Sequence, residues 1–278
     1  MGILLSGNYI LSSGNIAFSF QESFNYSVVS TLLTGLNRPN EISADFSTNR
    51  LFVTRYSANK VSVYNLTTFA FISDINSVTN PPSVYVHTPS NKLYICAQGS
   101  SKIHIFNLTT LVQISETTLA FSPKAIAVDV DGNKIYISEG NNVRVLNLTT
   151  FAEISIITGF TGNYGITIDA ENNRLIVCNY GASNLKILNL TTYAEISTIT
   201  GFTSPIDAHI DTVNKRLIVC NYYGQSLHIY RLSDLSFIRS ITGLTNPYGV
   251  LYDPGNNRIV FTSESGTNSL HKIDVTYL

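Results

Sequence analysis

The sequence predicts an all-β protein, a β-propeller of four-stranded antiparallel blades, on three observations. A tetrapeptide, Asn-Leu-Thr-Thr, stands at residues 65–68, 107–110, 147–150 and 189–192, and a degenerate copy, Arg231-Leu232-Ser233-Asp234, follows one period later. A tandem repeat of about 42 residues has the length of one propeller blade. A short apolar segment recurs in step with it, at 51–54, 93–96, 135–138, 175–178, 217–220 and 259–262, with a seventh version at 9–12. Finally, the apolar residues alternate or form β-branched runs, and no segment carries a helical period.

The elements follow in order from the repeat that begins at Pro123. Ala125 to Asp129 alternates as a first strand, and Asp131-Gly132-Asn133 turns the chain into a second, Lys134 to Ser138. Gly140-Asn141-Asn142 leads to a third strand, Val143 to Leu146, and the Asn147 to Thr150 turn leads to a fourth, Ala152 to Ile157. Gly, Asn, Asp and Thr bound every run, as turn chemistry requires.

These residues resemble the YVTN family of β-propeller repeats and are also similar to NHL-type propellers. The pattern Pro-x-x-Ile-Ala-Val, then Asp-Gly, an apolar strand, a further strand and an Asn-Thr turn is matched almost position for position by Pro123 to Thr150. The likeness extends from about residue 8 to 275 and implies the fold, in a family of surface proteins, binding modules and some enzymes with no fixed active site.

Units starting near Met1, Pro39, Pro82, Pro123, Asn163, Pro205 and Pro247 favour seven blades in a single domain, 1–278. In the alternative, the strand near Ser27 to Thr34 completes the C-terminal blade of a six-bladed ring, and residues 1–24 form an extra docking hairpin. Turn residues are placed regularly along the 278-residue chain, with none of the pooling a linker would show.

The formal net charge is −1 and only 13% of residues are charged, without basic runs, so a nucleic-acid footprint is absent. The N-terminus has no positive n-region or apolar run of a signal peptide, and no later stretch is long enough for a membrane span. The expected setting is therefore cytoplasmic or virion-associated.

Cys96, Cys178 and Cys220 share one second-strand position, which suits a small buried residue and no disulfide, zinc or haem. Asn-Leu-Thr also satisfies the N-glycosylation pattern, but Asn and Thr capping their own turn explains the repetition without a sugar. The first-to-second strand turns carry Arg50, Lys92, Lys134, Arg174, Arg216 and Arg258, which read as a solvated cationic rim.

Function is sought where the blades differ, because repeated positions report architecture. Loops entering the first strand and leaving the second open on one face around the channel. Arg55, Tyr56, Gln98, Lys124, Tyr164, Tyr180, Tyr222 and Tyr248 stand there and form the candidate binding face for a protein or glycan. Tyrosine mixed with amides is a recognition composition, although Tyr180 and Tyr222 fit interblade packing equally well. The sequence thus reads as a non-catalytic binding or structural module, with a place in a virion or other large assembly. The alternative is a metal-dependent lactonase or hydrolase: Glu41, Asn179, Asp207 and Asn221 resemble the channel set of propeller hydrolases and would suit calcium. Otherwise no cofactor is expected. His209, two residues after Asp207, adds a faint acid–base hint.

Overall fold

A computed structural model describes residues 24–26, 29–266 and 268–277. They form six antiparallel sheets. Blade 1 comprises Pro39–Asp45, Arg50–Arg55, Lys60–Asn65 and Phe71–Ile75, and blade 2 comprises Ser83–His87, Lys92–Ala97, Lys102–Asn107 and Gln113–Thr118. Blade 3 has Ala125–Asp129, Lys134–Ser138, Val143–Asn147 and Glu153–Ile157; blade 4 has Ile166–Asp169, Arg174–Asn179, Asn184–Asn189 and Glu195–Ile199. Blade 5 has Pro205–Asp211, Arg216–Asn221, Ser226–Arg231 and Phe237–Thr242. Blade 6 begins with Pro247–Asp253, Arg258–Ser263 and Ser269–Tyr277. Its fourth strand comes from the other end of the chain, as Phe24–Tyr26 and Ser30–Leu33 both pair with Ser269–Tyr277.

The ring therefore has six blades, and the favoured count of seven is corrected to the alternative. Packing explains why. Six hydrophobic clusters each bridge one pair of neighbours, and the last joins Leu251, Val260 and Leu270 of blade 6 to Ile42, Leu51 and Val53 of blade 1. Blade 6 thus buries its free face directly on blade 1. The proposed docking hairpin, and the strand-like segment at 9–12, lie outside the described residues apart from Phe24.

In blades 1 to 4 the Asn-Leu-Thr-Thr turn does several jobs. The Asn65 side-chain oxygen accepts the backbone N–H groups of Thr67, at 3.0 Å, and Thr68, at 2.8 Å, which lets the chain pass through a left-handed Phe69. Leu66 and Leu108 are buried plugs in the interblade clusters. The carbonyl of the leucine takes a hydrogen bond from the preceding blade's arginine: Arg50 reaches Leu108, Arg174 reaches Leu232 and Arg258 reaches Leu66.

This overturns the reading of those cations as a solvated rim. Arg174, Arg216 and Arg258 are buried, each paired with an aspartate at the end of its own blade's first strand, Asp169, Asp211 and Asp253. Arg50 pairs likewise with Asp45. The burial is affordable only because both charges and their remaining hydrogen-bonding groups are satisfied. In blade 5 the guanidinium instead donates to the Tyr26 hydroxyl, at 3.0 Å, and Arg239 lies 4.7 Å over the Tyr26 ring. The N-terminal closing strand is thus clamped from blade 5.

At the channel wall the inner strands of neighbouring blades approach closely. A Cβ on Gly249 would stand 2.5 Å from the Asn40 carbonyl oxygen and 2.7 Å from the Glu41 Cα. Gly249→Ala is therefore expected to destabilise by about 1–3 kcal/mol, whereas Gly255→Ala, whose Cβ meets nothing closer than 3.5 Å, should not. Equal urea midpoints for the two variants would refute the close-approach argument.

Candidate functional site

Inner-strand starts and second-strand exits do open on one face, as expected. Three of the exits, Tyr56–Ala58, Gln98–Ser100 and Tyr180–Ala182, form single 3-10 turns that close on a left-handed residue and hold the leading side chain at the rim. Three of the expected eight residues fall in these turns. Tyr56 donates its hydroxyl to the Gln98 side-chain oxygen at 2.7 Å, which links blades 1 and 2. Arg55 is a structural residue, since its guanidinium donates to the Leu36 carbonyl at 2.8 Å.

The tyrosines form a continuous band across blades 4, 5 and 6. Ring centroids are 5.1 Å apart for Tyr164 and Tyr180, 6.4 Å for Tyr180 and Tyr222, and 6.0 Å for Tyr222 and Tyr248. Lys124 caps the band with its ammonium 4.1 Å from the Tyr164 centroid. Burial lowers the Lys124 ammonium below its usual range and raises the Tyr164 and Tyr180 phenols, the latter helped by neighbouring Tyr223. The phenols thus stay neutral donors. Tyr222 and Tyr248 are only 8% and 7% exposed and belong to the interblade core. Packing, one of the two roles left open for Tyr222, therefore holds for that residue.

Sequence reasoning missed the residues that are most available. Tyr223 is 59% exposed and sits 4.9 Å from the Tyr222 ring and 6.1 Å from the Tyr180 ring. Its signal was the doubled tyrosine in Asn221-Tyr222-Tyr223-Gly224, where blade 4 has Asn179-Tyr180-Gly181. Arg38 was also missed. Its ε N–H donates to Glu264, whose second oxygen accepts the Tyr222 hydroxyl at 2.9 Å, and its guanidinium lies 4.7 Å over the Tyr56 ring. Between these groups a recess of about 690 Å³ is lined by Asn37, Arg38, Ser57, Tyr222, Glu264, Ser265 and Asn268.

Below the face the channel narrows to a cavity of about 10 Å³ bounded by Glu41, Asp207, Lys124, Tyr164 and Tyr248, roughly the space one water needs. Glu41 and Asp207 stitch blades together: Glu41 accepts the Val84 N–H and the Ser83 hydroxyl, and Asp207 accepts the Val250 N–H at 3.0 Å. Burial raises both carboxyls, Asp207 to about 7 and Glu41 well above its usual range, with Asp207 adding to the latter. Burial lowers His209 to about 4, so it is neutral near pH 7.

The residues present do not fit the calcium set. The Asn179 side-chain oxygen accepts the Thr161 N–H at 2.6 Å, and that of Asn221 accepts the Thr203 N–H at 2.6 Å. Each amide thus aims its oxygen at the loop that leads into its blade, and neither Asn179 nor Asn221 lines the cavity that Glu41 and Asp207 share. Glu41 and Asp207 remain, held toward the protonated form. Among the described residues no three His, Cys, Asp or Glu side chains are grouped to hold a metal.

No family model matches the chain, and no curated protein matches it. Solved structures do. The β-propeller domain of Cps50 (Swd1) from Myceliophteria thermophila aligns with a TM-score of 0.70 at 10% identity, over 91% of this chain and 100% of that one. Hydrazine synthase from Kuenenia stuttgartiensis aligns with a TM-score of 0.65 at 13% identity, over 95% and 99%. At such identities the likeness concerns fold alone. The class defined is a six-bladed β-propeller, a fold consistent with a binding or structural module. No helix among the described residues is long and apolar enough to cross a membrane.

Proposed function

We propose that this protein is a non-catalytic binding module whose tyrosine-rich face engages a protein or glycan partner. The observation that carries the proposal is the half-buried pair Tyr164 and Tyr180, continued by exposed Tyr223 and the Arg38–Glu264 pair. Rigid aromatic area beside satisfied but accessible polar groups suits recognition at low entropic cost. The polar channel residues, by contrast, are engaged between blades or hold their turns. The closing experiment screens the protein against immobilised glycans and a displayed protein library in parallel. Tyr223→Ala should weaken recovered ligands about 5- to 150-fold, as loss of a 1–3 kcal/mol contact would, with thermal unfolding unchanged. Ligands indifferent to both Tyr223→Ala and Lys124→Ala would place binding elsewhere.

A second observation supports a role inside a virion or other large assembly. The outermost strands of blades 1 to 5 each expose an apolar side chain, Phe71, Ile114, Ile154, Ile196 and Phe237.

A further inference from the structure

We propose that the recess between blades 6 and 1 is a subsite for a neutral sugar unit of a glycan, an inference that rests on the binding-face function above. The argument begins with a backbone position. The residue two places before each channel-mouth residue is left-handed in blades 1, 2, 4, 5 and 6, where it is Arg38, Asn80, Gly162, Ser204 and Asn246. Four of these are the small or amide residues that tolerate such a conformation; arginine is disfavoured there. Asn37, just before it, is left-handed as well. Strain of this kind persists where the surroundings impose it. Here they do: the Arg38 N–H donates to the Asn268 side-chain oxygen at 3.0 Å, and the Arg38 carbonyl accepts the Tyr56 N–H at 3.0 Å. The left-handed position belongs to the repeat, and Phe69, Lys215 and Gln225 adopt that conformation elsewhere; what sets blade 1 apart is that the residue there carries a guanidinium, at the mouth of the recess.

The chemistry around that guanidinium selects the ligand. Its charge is matched by Glu264, so an anionic ligand finds no uncompensated cation and meets a carboxylate. The remaining lining is amide and hydroxyl: Asn37, Asn268, Ser57 and Ser265. An arginine offers five N–H donors and a carboxylate about four acceptor sites, while one contact here joins the two side chains and a phenol uses one further site. The Arg38 side chain is 50% exposed, so a ligand can reach it. Vicinal hydroxyls, each donor and acceptor at once, match such an array. Tyr223 is not part of the recess; its exposed ring packs on Tyr222, which is, and offers a surface for the C–H face of a further sugar unit of the same glycan. The recess is shallow and open to solvent, which suits one unit of a longer glycan lying across the face. A protein partner would ask more of an apolar anchor pocket than this polar recess offers.

The test uses the described chain on an array of immobilised neutral hexose- and N-acetylhexosamine-terminated oligosaccharides, printed beside uronate- and sialate-bearing counterparts. Neutral glycans should bind, and Arg38→Ala and Glu264→Gln should each weaken them at least tenfold. Arg231→Ala, whose exposed pair with Asp234 lies at the opposite end of the blade 5 strands, should leave them unchanged. Glu264→Gln keeps shape and volume, and unchanged melting temperatures confirm that folding is intact. Arg38→Lys, which keeps the charge but loses the planar fork, should fall between wild type and Arg38→Ala. Binding of acidic glycans alone, or of neutral glycans with no loss in either variant, overturns the subsite. So does an array without signal. If a protein ligand sensitive to Tyr223→Ala is found in that last case, the binding face stands and only the sugar subsite fails.

Discussion

Arg216→Ala should lower the unfolding free energy by about 3–5 kcal/mol, the range for breaking a buried ion pair from one side. The Arg216 side chain is 1% exposed and its partner Asp211 is fully buried, so the variant strands an uncompensated carboxylate between blades 5 and 6. It also removes the donor to Tyr26, and with it the clamp on the strand that closes the ring. Calorimetry should show a fall in melting temperature of roughly 6–20 °C, since each kcal/mol moves a domain of this size by about 2–4 °C. Arg231→Ala provides the contrast: its pair with Asp234 is more than half exposed on both sides, and such pairs contribute about 0–1 kcal/mol. If the two variants melt together, the arginines at these turns are a solvated rim after all.

Asp207→Asn should stabilise the protein at neutral and alkaline pH and leave it unchanged near pH 4. An unfolded aspartate loses its proton near 3.8, whereas the folded Asp207 keeps it to about 7, because burial disfavours the charge. Between those values the native state binds the extra proton, so this group's stability is present at low pH and lost as pH rises through 7. The displacement corresponds to at most roughly 4 kcal/mol. Glu41, raised by burial and by Asp207, acts in the same direction. His209 acts oppositely, since the unfolded imidazole takes a proton near 6.5 and the folded one only near 4. Its contribution falls as pH drops through that interval and partly masks the carboxyls. Asparagine can still accept the Val250 N–H. Urea unfolding at a series of pH values should give curves that meet near pH 4, separate progressively between about pH 4 and 7 and keep a constant gap above that; a constant gap across the whole range would refute a protonated Asp207.

Much of the blade was legible because its signals are local. Lys134 to Ser138 forms the strand expected of it, and Asn147 caps its turn through the Thr149 and Thr150 N–H groups, each at 2.9 Å. The three cysteines are buried and free, as their shared strand position implied. Of the residues expected on the face, Tyr56, Gln98 and Tyr180 lead the exit turns at the rim, whereas Tyr222 and Tyr248 are buried. Tyr222 and Tyr248 carry the same letter as Tyr223 and differ from it only in how a turn aims them. Asn179 and Asn221 resemble ligands in sequence, and only the fold reveals that their oxygens accept the Thr161 and Thr203 N–H groups, away from the Glu41–Asp207 cavity.

Alternation, turn residues and the period of the tetrapeptide determined the strands, the blade and the propeller class, because each is settled by neighbours within one repeat. Ring size was decided elsewhere. It depends on Ser30 pairing with Lys272 and on blade 6 burying Leu251 against blade 1, contacts between opposite ends of the chain that leave no periodic trace. The same holds for the buried arginines and for the Arg38–Glu264 recess. A charge at a turn looks alike whether water or the next blade surrounds it, and only closure of the ring supplies the next blade.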